Sequence, residues 1–153
     1  MRPSVSSHRG SISGMQKPEA VQLEGVTFMK MLRHAEQLLS SGSADDTSRQ
    51  QAEGKLVGLM VGSALEVTNC FPSPSLDKIE DPAKRGHAEN TYQVAMLQTM
   101  RHFRQDHVAV GWYTTASVAS LATKSFIEHQ FSYQQDHEES VVLVIDLNNL
   151  IKV

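Results

Sequence analysis

The sequence predicts an α/β (α+β) fold, a mixed β-sheet with helices packed against it, from three observations. Leu56-Val57-Gly58-Leu59-Met60-Val61-Gly62 and Val141-Val142-Leu143-Val144-Ile145-Asp146 are near-continuous apolar runs, as expected of strands buried on both faces. The stretch from His107 to Ala116 is β-branched and aromatic, carries the single Trp, and reads as another buried strand. Between such runs apolar residues recur at helical spacing, which gives the order β-α-β-β-α-β-α-β.

Taken in order, residues 1–20 are rich in Ser, Gly and Pro and bury too little apolar surface to offset their ordering entropy, so they read as a disordered tail. Val21-Gln22-Leu23-Glu24 alternates like a strand. From Val26 the period becomes helical, with Phe28, Leu32, Ala35 and Leu39 in phase and Met29 and Met31 beside them; Ser40-Ser41-Gly42 ends that helix. Residues 42–53 read as a polar loop. The run from Leu56 and the alternating Leu65 to Phe71 form a hairpin joined by Gly62-Ser63-Ala64 and stopped by Pro72-Ser73-Pro74-Ser75. Residues 75–87 are charged and irregular. A second long helix places Tyr92, Met96, Met100 and Phe103 on one face and leads into the Trp112 strand. Val118, Leu121, Ala122 and Ser125 suggest a third helix before the last strand. The chain stops soon after that strand, abruptly for a closed α/β unit, and leaves it an open edge.

A chain of 153 residues suffices for one domain and one core. An apolar fraction of 40% and a charged fraction of 20% match ordinary globular proteins. The net charge of -3 gives no overall pull on nucleic acid, so no direct sequence-specific nucleic-acid binding is expected. No apolar run approaches the ~20 residues that cross a bilayer, and the N-terminus lacks a signal-peptide core. No membrane partner is expected, and the compartment reads as cytosolic or nuclear. Cys70 is the single cysteine, which excludes an intrachain disulfide and argues against a Cys-ligated zinc.

Seven histidines raise the question of a metal. A catalytic zinc needs three converging ligands and an open position. His102 and His107 straddle a helix end on different elements, and His129 and His137 flank Phe131-Ser132-Tyr133; all four read as surface or helix-end residues. Glu138 and Glu139, adjacent on an extended chain, face opposite ways and read as a solvated strand entry rather than an acid/base pair. No Gly-x-Ser-x-Gly elbow and no Gly-x-x-x-x-Gly-Lys loop occurs. Cys70 has no basic neighbour in its alternating strand and reads as a buried small hydrophobe. Met29, Met31, Met96 and Met100 read as core.

Val57-Gly58-Leu59-Met60-Val61-Gly62, followed by Val110-Gly111-Trp112-Tyr113, resembles the MPN (JAB1/MOV34) domain. The resemblance covers residue 21 to the end. It implies the MPN/JAB1-type sheet flanked by helices in three αβα layers, with 21–153 as an MPN domain incomplete at its C-terminal end. The family includes zinc isopeptidases that remove ubiquitin-like modifiers and many inactive scaffold subunits. Active members carry a Glu three residues before the first motif's Gly, which here is Lys55. After Gly-Trp-Tyr they carry His-Ser-His-Pro, which here is Thr114-Thr115-Ala116-Ser117, and a later Asp position falls at Ile127. Glu53 and Glu128 are close but off register; on a strand a two-residue shift moves a side chain about 7 Å. The resemblance therefore implies no catalytic residue, no metal ligand and no cofactor.

Gln130-Phe131-Ser132-Tyr133-Gln134, Glu138-Glu139-Ser140-Val141-Val142-Leu143-Val144, Val21-Gln22-Leu23-Glu24-Gly25 and Thr68-Asn69-Cys70-Phe71-Pro72 resemble one branch of the family, the h subunits of eukaryotic translation initiation factor 3. That branch implies a non-catalytic scaffold in a cytoplasmic complex that recruits mRNA to the small ribosomal subunit. It also implies other subunits of that initiation factor as partners, with its other MPN protein, the f subunit, as first candidate. The rivals are an active zinc isopeptidase of the same fold and an inactive MPN subunit of the proteasome lid.

Overall fold

A computed structural model of the chain describes residues 17–41, 51–76, 78–103 and 108–150. The elements run β1 (Ala20–Leu23), α1 (Gly25–Ser41), β2 (Glu53–Val61), β3 (Ala64–Pro72), α2 (Pro82–Phe103), β4 (Val108–Thr115), a 3₁₀ turn (Val118–Ala122), α3 (Lys124–Asp136), β5 (Val141–Ile145) and α4 (Leu147–Leu150). The five strands form one mixed sheet in the order β1-β3-β2-β4-β5. β1 runs parallel to β3, β2 antiparallel to both β3 and β4, and β5 parallel to β4. The predicted fold class holds.

The sheet separates two helical layers. On one side α1 buries Thr27, Met31 and Ala35, and Met31 packs in a core with Leu56, Leu65, Val67, Cys70, Val110, Tyr113 and Ile145. Bulges at Thr68 of β3 and Val110 of β4, both opposite β2, re-phase those strands. As a result Val67 and Cys70, and likewise Val110 and Tyr113, three residues apart, reach the same core. On the other side lie α2 and α3: Tyr92 of α2 sets its ring edge-on to Phe71 and donates its hydroxyl to Pro72 O at 3.0 Å, and α3 covers Trp112.

Two glycines are required. Gly62 opens the two-residue β2–β3 turn at φ +63°, where Cβ is penalised. Gly111 sits at φ +155°, and a Cβ there would lie 1.9 Å from Val141 O. Only a glycine lets β5 dock beside β4 at this point.

Several expectations are corrected. β1 begins at Ala20, inside the span assigned to the tail, whose residues 1–16 lie outside the described residues. The expected loop over 42–53 is described only from 51, and Glu53 already opens β2. α2 starts at Pro82, within the stretch read as irregular: the Asp81 carboxylate accepts from Ala83 N at 3.0 Å, and Pro82 takes the first helical position, where a missing N–H costs nothing. The third helix begins at Lys124, not at Val118, because Thr123 is its N-cap and accepts from Phe126 N. The Val118 stretch is a separate 3₁₀ turn. On α1 the inward row is Thr27, Met31 and Ala35, with Phe28 and Leu32 half-buried, so Leu39 and Met29 face solvent and are not core. Met96 and Met100 are half-buried, and Glu138 and Glu139 lie in a turn rather than on an extended strand. His107 and the side chain of Phe103 lie outside the described residues.

Candidate functional site

The polar groups gather on the α2/α3 side of the sheet, where β2 and β4 meet α3. Register sets Lys55 of β2 between Phe71 of β3 and Trp112 of β4. Lys55 is 7% exposed. A buried ammonium requires partners, and two helices supply them. Glu89 of α2 brings a carboxylate oxygen to 3.4 Å, and Tyr133 of α3 accepts a hydrogen bond from the amine through its hydroxyl. The amine also lies 4.3 Å from the centre of the Tyr133 ring.

Trp112 is 3% exposed under the inner face of α3. Phe126, His129, Gln130 and Tyr133 recur at helical spacing and so project together. Ring centres of Phe126, His129 and Tyr133 lie 5.4, 4.4 and 5.9 Å from that of Trp112. The indole N–H donates to Gln130 Oε1 at 2.7 Å, and Gln130 Nε2 donates to Ser140 O at 2.8 Å. One glutamine thereby links β4, α3 and the start of β5.

His129 divides two clefts. One, of about 150 Å³ beside the carboxyl end of β4, is lined by Glu53, Trp112, Thr114, Ala116, Thr123 and His129. Glu53 lies opposite Thr114 across the β2–β4 ladder, and its carboxylate is 3.6 Å from His129 Nε2. The other cleft, of about 340 Å³, is lined by Lys55, Glu89, Gln93, Tyr133, Asp136 and His137. Among the described residues no three His, Cys, Asp or Glu side chains gather into a group that could hold a metal ion.

The remaining candidates disperse. Thr114 is buried, Ala116 is half-buried, and Ile127 is 58% exposed on α3. Glu128 is exposed and pairs with Lys124 at 3.4 Å. His102 is exposed in the last turn of α2, and His137 is the C-cap of α3. Cys70 is buried, and burial pushes its thiol up to about 11 against a smaller opposing pull from Lys30. His129 is not the surface residue expected: it is half-buried against Trp112. The signal that could have found it was the Phe126-x-x-His129-Gln130-x-x-Tyr133 spacing, one face of a helix whose start was placed too early.

Residues 16–139 match the family model described as JAB1/Mov34/MPN/PAD-1 ubiquitin protease. The chain belongs to this JAB1/MPN family. It is 36% identical over 126 residues to the H subunit of eukaryotic translation initiation factor 3 from Salmo salar, covering 82% of this chain and 33% of the relative. It is likewise 36% identical to the H subunit from Bombyx mori, over 93% of this chain and 40% of the relative, and 34% identical to the H subunit from Nematostella vectensis, over 95% and 39%. The chain spans between a third and two-fifths of the length of these relatives. Within the JAB1/MPN frame, the Lys55 cluster and the His129 cleft lie where β2, β4 and α3 converge.

Proposed function

We propose that this chain is a non-catalytic scaffold subunit of eukaryotic translation initiation factor 3. It acts in the cytoplasm, through protein–protein contacts, in recruiting mRNA to the small ribosomal subunit. The observation that carries this reading is the engagement of Lys55. Where the resemblance puts the acidic base of the active enzymes, this chain has an ammonium already held by Glu89 and Tyr133. The relatives, named as H subunits, supply the assembly.

The donor chemistry supports the same reading. A zinc does not fit this residue set, because Thr114, Ala116 and Ile127 offer at most one hydroxyl at the ligand positions, and the base position holds Lys55. Glu53 and His129 are two donors already directed at one another. No reaction step through a metal follows from them.

The partners are other subunits of initiation factor 3, with the MPN protein that forms its f subunit first, and the small ribosomal subunit through the complex. Val26 and Met29 of α1, 69% and 64% exposed, offer adaptable apolar surface for such pairing. Co-expression with a tagged f subunit and pull-down at moderate salt tests it, with a full-length H subunit as the reference. Retention of this chain is expected. Retention of the reference alone would show that this chain lacks the scaffold function.

A further inference from the structure

The cleft of about 340 Å³ is walled by residues of β2, β4, α2 and α3. Lys55 of β2 is the single lysine or arginine among its lining residues, and its side chain is 9% exposed. Two of the lining residues are acids, Glu89 of α2 and Asp136 of α3, and two are histidines, His129 and His137. A nearly buried ammonium at the wall of a cleft is a strong point of attraction for an anion.

One anion of the chain itself is already there. The Glu89 carboxylate lies 3.4 Å from Lys55 Nζ, beyond the about 2.7–2.9 Å of a close charge-assisted hydrogen bond, and its side chain is 44% exposed. The helix that carries it is tied to the sheet at a separate point: Tyr92 donates its hydroxyl to Pro72 O and sets its ring against Phe71. A change of rotamer therefore takes Glu89 off Lys55 while α2 stays seated.

We infer that the cleft is a carboxylate site, that Glu89 is its internal occupant, and that a ligand bearing a single carboxylate takes the place of Glu89 on Lys55. The exchange is neutral in charge. One carboxylate leaves the buried ammonium as another arrives, so the lysine keeps a counter-ion throughout. A phosphate dianion is disfavoured, because it brings beside Asp136 and Glu89 more negative charge than one ammonium offsets. Gln93 and Ser132 add neutral hydrogen-bonding groups to the lining, and Ala109 and the Tyr133 ring add apolar wall for a carbon skeleton. The site is independent of the proposed role in initiation.

The test is titration of the isotope-labelled chain with sodium acetate, against sodium chloride at matched ionic strength, followed through the Trp112 indole N–H resonance. Trp112 is the single tryptophan, and its ring lies against His129 and Tyr133, both of which line the cleft. Acetate is expected to shift the resonance saturably and chloride is not. Glu89→Gln removes the internal competitor and is expected to saturate at about tenfold lower acetate, since a tethered carboxylate acts at a high effective concentration. Asp136→Asn makes the same change in net charge without vacating Lys55, and is expected to saturate close to the wild type. Lys55→Met is expected to abolish the saturable shift. A capped Ala-Glu-Ala tripeptide separates the sources of the carboxylate. Saturation below the acetate concentration assigns the site to an acidic side chain of a polypeptide, and saturation at or above it assigns the site to a small free acid. A linear response to acetate in both the wild type and Glu89→Gln, tighter binding of inorganic phosphate than of acetate, or equal tightening in Asp136→Asn overturns the proposal. The comparison of Glu89→Gln with Asp136→Asn decides the question even where Lys55→Met fails to fold.

Discussion

The Lys55 ammonium lies 3.4 Å from the Glu89 carboxylate, so a residue of a central strand and a residue of α2 share one ion pair under the helical layer. The lysine side chain is 9% exposed and the glutamate 44%, which leaves the pair between the buried and the surface regimes. Fully buried pairs lose about 3–5 kcal/mol when one partner is removed, and exposed ones about 0–1. Lys55→Glu, which restores an acid at this position, sets two carboxylates against one another and removes the cation from the Tyr133 ring. It is expected to cost about 2 kcal/mol, read as a lowered urea midpoint with an unchanged slope. Stability equal to the wild type would show that the pair does not hold α2 to the sheet.

Trp112 tests the other half of the site. Trp112→Ala removes an indole 3% exposed and its contacts with Phe126, His129 and Tyr133, and should cost about 3–5 kcal/mol. Gln130→Leu keeps the volume but leaves the indole N–H and Ser140 O without their partner, at about 1–3 kcal/mol. Equilibrium unfolding of both variants checks the pair. A neutral Gln130→Leu would mean that the bridge from β4 through α3 to β5 contributes nothing.

His34 gives the fold an acid-side dependence. Its Nδ1 lies 2.9 Å from the Tyr113 hydroxyl, and burial lowers its pKa from the ordinary 6.5. The neutral imidazole shares this hydrogen bond with the tyrosine hydroxyl, and burial disfavours the charged ring. Because the folded value is the lower one, the contribution is present above about 6.5 and is lost as pH falls through the folded value. Thermal midpoints measured from pH 7.5 down to 5.5 should fall less steeply for His34→Gln than for the wild type. Parallel curves would remove His34 from the account. At the alkaline end burial raises the Tyr113 and Cys70 values, and stability from both is lost as pH climbs.

The sheet was legible in the sequence because its strands are buried on two faces, and burial writes itself as unbroken apolar runs from Leu56, around Trp112 and from Val141. The hairpin was legible from Gly62, whose positive φ the turn requires. The starts of α2 and α3 were not. Asp81-Pro82 and Thr123 are short capping signals, hidden by a charged stretch in one case and by the apolar Val118 to Ala122 in the other. The same misplacement concealed the site: with α3 begun too early, His129 reads as flanking an aromatic stretch instead of sharing a helix face with Phe126 and Tyr133. The Lys55 position was readable through the family motif, but its partners Glu89 and Tyr133, 34 and 78 residues away along the chain, are brought to it only by folding.

The non-catalytic reading is tested most directly by the zinc content of the purified chain. After exhaustive dialysis against zinc-free buffer, elemental analysis should find well below one zinc per chain, since the ligand positions hold Thr114, Ala116 and Ile127 and the base position holds Lys55. One tightly held zinc per chain would contradict the account.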